Sequence, residues 1–307
     1  MISAAFLDVT KIEPKLKHPT IFRHFDELGS GESFVIENDH DPKPLYYQLL
    51  GERGNIFTWE YLQEGPQWWK VKIAKRNKDQ HDETVGEIAA KDIRKAEVFK
   101  RMGIDFCCGG NKTLKEVSLE AGVNEEALKY ALQSVEKNTL PPSIDYNKWD
   151  PGFLADYIVN THHRYVKDNA ELIYNLAAKV AQHHGENHPE LISLVQKLTL
   201  FFQDLLTHLG KEESVLFPAI KEAVSSGGNK DFIRQPIIMM QREHALSGED
   251  LNYFRKITDN YRLPEDACNS YRYLFEKMKE FEDDLHKHIH LENNILFPKS
   301  LKLAEAS

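Results

Sequence analysis

Cysteine is scarce in this chain: Cys107, Cys108 and Cys268 are the only three in 307 residues. Three thiols cannot build the disulfide framework of a small secreted scaffold. No apolar run approaches the ~20 residues needed to cross a bilayer. The start, Met1-Ile-Ser-Ala-Ala-Phe6, lacks the basic cluster and apolar stretch of a secretory signal. Positive charge is also short, 39 Lys and Arg against 48 Asp and Glu, a formal net charge of -9. Such a surface is a poor match for a phosphate backbone. These deficits point to a soluble, cytoplasmic protein with no nucleic-acid or membrane partner, long enough for two or three domains.

Three segments are legible. In the first, residues 1–76, strands are expected over Phe6–Val9, Glu32–Glu37, Phe57–Leu62 and Trp68–Ile73. Helices are expected over His18–Leu28 and Pro44–Arg53, the latter opened by a proline suited to a first turn. The order β-α-β-α-β-β predicts a small two-layer α/β sandwich. A polar run, Arg76 to Asp82, reads as a linker. In the second segment, residues 80–140, Val85, Ile88, Ala89, Ile93, Ala96 and Phe99 recur at helical spacing. Two further short helices follow, the second capped by Asn124, and Pro141-Pro142 closes the segment. Between them lies Asp105-Phe106-Cys107-Cys108-Gly109-Gly110. The glycines let the turn fold tightly and expose two thiols, which suits a redox pair, a soft metal-transfer site or a homodimer contact. Cys268 is read as a packing residue.

The third segment, residues 150–303, carries a repeated phrase. His208, Glu212, Leu216, Phe217 and Pro218 spell His-x-x-x-Glu-x-x-x-Leu-Phe-Pro, and His288, Glu292, Leu296, Phe297 and Pro298 spell it again 80 residues later. Positions four apart share a helix face, so each phrase sets an imidazole beside a carboxylate. Four helices are expected, about Leu154–His183, His188–Val224, Gln235–Asn260 and Glu265–Leu303. Facing helices of such a bundle can build a mixed nitrogen and oxygen cage suited to iron or another first-row metal. Helix three offers His244. On helix one, the stripe Leu154, Ile158, Thr161 and Tyr165 favours His162 over His163, while His183 and His184 are not separated by spacing. Five imidazoles, two bridging glutamates and an oxo or hydroxo bridge nearly fill two six-coordinate irons, with one position open; zinc needs only about four ligands.

The Cys107-Cys108-Gly-Gly turn, both repeated phrases and Glu243-His244 together resemble the iron-sulfur cluster repair di-iron proteins of the ScdA/YtfE type, over about residues 80–303. The resemblance implies a mostly α fold: a helical cysteine-pair domain followed by a hemerythrin-like di-iron four-helix bundle. It implies His162, His184, His208, Glu212, His244, His288 and Glu292 as ligands of two irons, with both glutamates bridging. It also implies the repair of clusters damaged by nitric oxide or peroxide through iron donation, with Cys107 and Cys108 in the transfer. The partners would be damaged iron-sulfur proteins or a cluster-assembly scaffold. Rival readings are a sensor that binds oxygen or nitric oxide, and a nitric oxide reductase. Residues 38–45, Asn38-Asp-His-Asp-Pro-Lys-Pro-Leu45, resemble a domain family of unknown function related in fold to TusA-like sulfur carriers. The segment has no cysteine, so an accessory role is expected.

Overall fold

In the computed structural model residues 5–53, 56–76, 83–107, 109–137, 144–226 and 231–306 are described. The linker at 77–82, Cys108 and Pro141-Pro142 fall outside them. The chain divides into two compact units, residues 1–84 with 111–116, and residues 85–110 with 117–307. Most of the cysteine-pair segment therefore shares a unit with the bundle.

The first unit follows the expected element order. It runs β1 (Ala5–Asp8), α1 (Pro14–Glu27), β2 (Ser33–Asn38), α2 (Lys43–Arg53), β3 (Phe57–Gln63) and β4 (Trp69–Lys75). The sheet order is β1-β2-β4-β3, with β1 and β2 parallel and the other pairings antiparallel. Alternate residues of β2 are buried, as a half-covered strand requires. Phe34 and Ile36 pair with Ile73 and Val71, and all four pack with Ile21, Phe25 and Leu49 of the two helices. That single covered face makes the two layers.

The second unit holds α3 (Val85–Lys91), α4 (Arg94–Arg101), the greater part of α5 (Leu114–Ala121), α6 (Glu125–Lys137) and the bundle. Asn124 caps α6 by accepting from the Ala127 N–H at 3.0 Å. Four rods form the bundle, and three of them contain a π-turn. Rod one is α7 (Pro151–Ile158), the π-turn Val159–His163 and α8 (Arg164–His184). Rod two is α9 (Glu190–Lys211), the π-turn Glu212–Leu216 and α10 (Phe217–Ser226). Rod three is α11 (Asp231–Ile257). Rod four is α12 (Asn269–Leu291), the π-turn Glu292–Leu296 and α13 (Phe297–Ala306).

The repeated Phe-Pro explains two of the π-turns. Pro218 and Pro298 have no N–H to donate, and their rings crowd the carbonyl four residues back. The preceding turn widens instead, and the Phe217 and Phe297 N–H groups bond the carbonyls of Glu212 and Glu292, five residues back. Such turns concentrate at functional sites. Rod one starts with Asp150, whose carboxylate accepts from the Gly152 and Phe153 N–H groups, and with Pro151.

Apolar residues of the bundle form two layers. One holds Leu154, Ile158, Leu216, Phe217, Ile237, Leu296 and their neighbours. The other holds Val166, Ile173, Leu198, Leu205, Phe254, Leu285 and theirs. On every rod the polar cage described next falls where one layer gives way to the other. Beyond α11, Asp259, Asn260 and Tyr261 all take φ between 49° and 58°, a left-handed turn costing roughly 1–2 kcal/mol per residue. It drives Tyr261 into the core, where its hydroxyl donates to Glu282 at 2.8 Å, a carboxylate also paired with Arg255.

Candidate metal centre

Six buried side chains converge between the two apolar layers. Ligand atoms of His163, Glu212, His288 and Glu292 lie within 4.8 Å of one another, and so do those of His208, Glu212, His244 and Glu292. Each glutamate belongs to both groups, one oxygen to each. Glu212 Oε2 is 3.4 Å from His163 Nε2, and its Oε1 is 3.3 Å from His208 Nε2. Glu292 Oε1 is 3.0 Å from His288 Nε2, and its Oε2 is 3.1 Å from His244 Nε2. The two imidazole pairs meet at Nε2, His163 to His288 at 3.1 Å and His208 to His244 at 3.0 Å. Six-coordinate ions with bonds near 2.1 Å place adjacent ligands about 3 Å apart, so these spacings fit.

The fit is tested by what the carboxylates lack. Both oxygens of Glu212 and Oε2 of Glu292 are buried with no hydrogen-bond partner. Imidazole nitrogens lie close, yet no N–H is aimed at these oxygens. A buried carboxylate without partners is costly, and a cation in each of the two groups would remove that cost. Donors that are all nitrogen and oxygen, with no thiolate, suit a first-row transition metal.

The outer nitrogens of the histidines are held by neighbours in sequence. Glu213, beside Glu212, lies 2.8 Å from His163 Nδ1 and is itself paired with Lys167. Glu243, beside His244, lies 2.8 Å from His208 Nδ1 and pairs with Lys211. Asn293, beside Glu292, lies 2.8 Å from His244 Nδ1. Such partners fix the ring and aim Nε2 inward. His288 Nδ1 is the exception, buried with no partner.

The side chains that the structure brings together differ from the expected set in two places. His163, fully buried, stands in the cage where His162 was expected. His162 is turned to Asp284, 2.9 Å away, with its ring stacked on that of His288 at 5.8 Å. The cause is the π-turn Val159–His163, in which the Arg164 N–H reaches back to the Val159 carbonyl. One added residue passes the face four on from Ile158 to the fifth, so Thr161 is exposed while Val166 and Ala170 are buried. His184 closes α8, roughly 30 Å along the helix from His163 at 1.5 Å per residue. There its ring lies 5.4 Å from Tyr271. His208, Glu212, His244, His288 and Glu292 are all brought together. The cage thus offers four imidazoles rather than five.

The cysteines are corrected too. The Cys107 thiol is buried at 3% exposure among bundle residues, with Asp105 Oδ1 3.2 Å from Sγ. Cys268 is exposed and packs no core.

The protons of the metal-free cage are placed by its charges. Burial lowers the His163 pKa, but the Glu212 and Glu292 carboxylates beside Nε2 outweigh this and push it up to about 9. His208 is likewise lifted against burial, by Glu212 and then Glu243, to about 10. Both are raised above the ordinary 6.5, so these ion pairs stabilise the metal-free chain below that pH and are lost as pH rises through 9 and 10. Metal must displace both protons. Loading at pH 7 is therefore expected to release about two protons per chain, read by calorimetry in buffers of different ionisation enthalpy. A binding heat independent of buffer would contradict this.

Comparisons with known proteins agree with the geometry. A family model described as the hemerythrin HHE cation binding domain matches residues 154–300. A domain of unknown function, DUF542, matches residues 81–136, and the uncharacterized conserved protein DUF2249 matches residues 6–75. Among curated relatives, the iron-sulfur cluster repair protein YtfE of Yersinia pestis (strain Pestoides F) is 32% identical over 225 residues, 73% of this chain and 99% of that protein. The protein of the same name from Pectobacterium atrosepticum is 35% identical over 225 residues, 72% of this chain and 97% of its own. None of the described helices is long and apolar enough to cross a membrane.

Proposed function

Because the chain belongs to the family of iron-sulfur cluster repair proteins, we propose that its bundle carries two irons and yields them to damaged iron-sulfur proteins. The supporting observation is the shared carboxylates: Glu212 and Glu292 each turn one oxygen to each imidazole pair. Four protein atoms per ion leave about two positions on each six-coordinate iron, one for a shared oxo or hydroxo bridge and one open. When bound, such ions supply Lewis-acid and redox chemistry; in this reading they are the cargo.

The chain's own residues make the site releasable. Imidazole and carboxylate hold iron less firmly than a thiolate set does, since softer sulfur ligands suit cluster iron better. His163 and His208 take up protons as the cage empties, which neutralises the two carboxylates left behind. Glu213 and Glu243 keep both rings aimed inward, so the emptied cage is preorganised to reload. His288 has no such support at Nδ1, so the position it shares with His163 is the weaker one and empties first. Cys107 and Cys108 are the proposed handover point toward the acceptor.

The test is stoichiometric transfer. The chain, loaded anaerobically with ferrous iron, is mixed with a dehydratase whose cubane cluster has lost iron to peroxide, with dithiothreitol present to supply the one electron that each three-iron cluster needs beside its ferrous ion. Recovered activity is expected to rise with added chain up to about two irons delivered per chain, and Glu212→Ala is expected to restore none. Full recovery by the Glu212→Ala chain would contradict the proposal. Multiple turnovers of nitric oxide with an electron donor, without iron loss, would favour the reductase.

A further inference from the structure

The two copies of the repeated phrase agree at every cage position and differ in the residues between. Two of these differences meet the cysteine turn. Gly210 in the first copy corresponds to His290 in the second, and Ser214 to Asn294. Ser214 only bonds back to the Gly210 carbonyl of its own helix, at 2.6 Å. Asn294 reaches off its helix. Its Nδ2 lies 3.3 Å from the Phe106 carbonyl, 3.4 Å from that of Cys107 and 3.0 Å from His290 Nδ1. His290 is fully buried, with the Phe106 ring 5.5 Å from its own.

The fit around Asn294 is close. A Cβ on Gly86 or Gly110 would come within 2.3 Å or 2.5 Å of Asn294 Oδ1, and within 2.7 Å or 2.6 Å of backbone oxygens. The Gly86 N–H donates to the Gly110 carbonyl at 2.8 Å and clamps the two strands of chain around that side chain. Gly110 is thus required by contact, and no positive φ is involved. Asn294 also lies in the π-turn that begins with Glu292.

We propose that Asn294 is the positioning residue that ties Phe106 and Cys107 to the Glu292 half of the cage, so that filling the cage holds the Cys107 thiol in its buried place. This rests on the cage being a metal site. A buried thiol reacts only when its surroundings open locally. If opening the turn also loosens the π-turn that carries Glu292, metal in the cage must oppose that opening by linkage. Release of metal then makes that opening more frequent and the thiol faster to react, and the order of events is set within one helix.

The test is alkylation of Cys107 by iodoacetamide in a Cys108→Ser, Cys268→Ser chain, metal-free and loaded with ferrous iron under anaerobic conditions, with bound iron measured on the same samples. Loading is expected to slow alkylation tenfold or more, and Asn294→Ser, the residue of the first copy, to abolish that protection with iron retained. A Glu212→Ala control must show no protection, since protection there would mean iron bound at the thiol itself and would overturn the proposal. Iron bound in the cage with no slowing, or full protection surviving Asn294→Ser, would also overturn it. No iron in the cage would sink the metal reading instead. Should Asn294→Ser not fold, exchange of the Gly86 amide in the unsubstituted chain decides: iron is expected to slow it tenfold, and an unchanged rate refutes the link.

Discussion

Replacing Glu212 or Glu292 by alanine is expected to empty both metal positions, not one. Each carboxylate gives an oxygen to both imidazole pairs, so its loss removes a ligand and a negative charge from two ions at once. Losing a partner that merely orients a ligand already weakens metal sites about 10- to 100-fold, and a shared ligand acts twice. By contrast, His208→Ala touches only the pair it forms with His244 and is expected to leave about one ion per chain. The metal-free Glu212→Gln chain should keep its fold, because it no longer buries two facing carboxylates whose mutual repulsion disfavours the charged pair. Iron per chain after loading and dialysis, with far-ultraviolet circular dichroism on the same samples, checks both parts. An Ala variant that retained one firmly bound iron would show that the glutamates do not bridge.

His163→Ala is expected to lose one ion while His162→Ala and His184→Ala keep both. His163 is fully buried, with Nε2 3.1 Å from that of His288 and 3.4 Å from Glu212 Oε2. His162 pairs with Asp284 instead, and His184 lies at the far end of α8 beside Tyr271. Adjacent histidines differ by about 100° around a helix, so the contrast between the two substitutions should be near all-or-none in iron content. Loss of iron in His162→Ala with retention in His163→Ala would mean that the π-turn does not set the face of rod one.

The same pair marks where sequence reasoning stopped. Rods two and four were legible because His208 to Glu212 and His288 to Glu292 each span one ordinary turn, and because the phrase occurs twice. Their π-turns begin only at the glutamates and have a visible cause in Pro218 and Pro298. The π-turn of rod one has no proline behind it, so a period of 3.6 carried through from Ile158 arrives one residue early. A signal was nevertheless present: Val166 and Ala170, both buried, count back in steps of three and four to His163. His184 was preferred to His183 on family resemblance alone, and helix length separates it from the cage. The small sandwich was legible down to its element order, since strand alternation and turn residues fix it locally. The burial of Cys107 was not, because Gly110, read as freeing the turn, instead admits Asn294, 184 positions later in the chain. Glu213, Glu243 and Asn293 were missed as ring-orienting partners although each adjoins a cage residue.

The central claim is that one cage holds two ions bridged by two glutamates. X-ray absorption at the iron edge, on chain loaded anaerobically and freed of excess iron, tests it most directly. Two irons per chain, six-coordinate in nitrogen and oxygen, with an iron–iron vector of about 3.5–4 Å or shorter if an oxo group bridges them, are predicted. One ion per chain, sulfur in the coordination shell, or two irons with no metal–metal vector would contradict it.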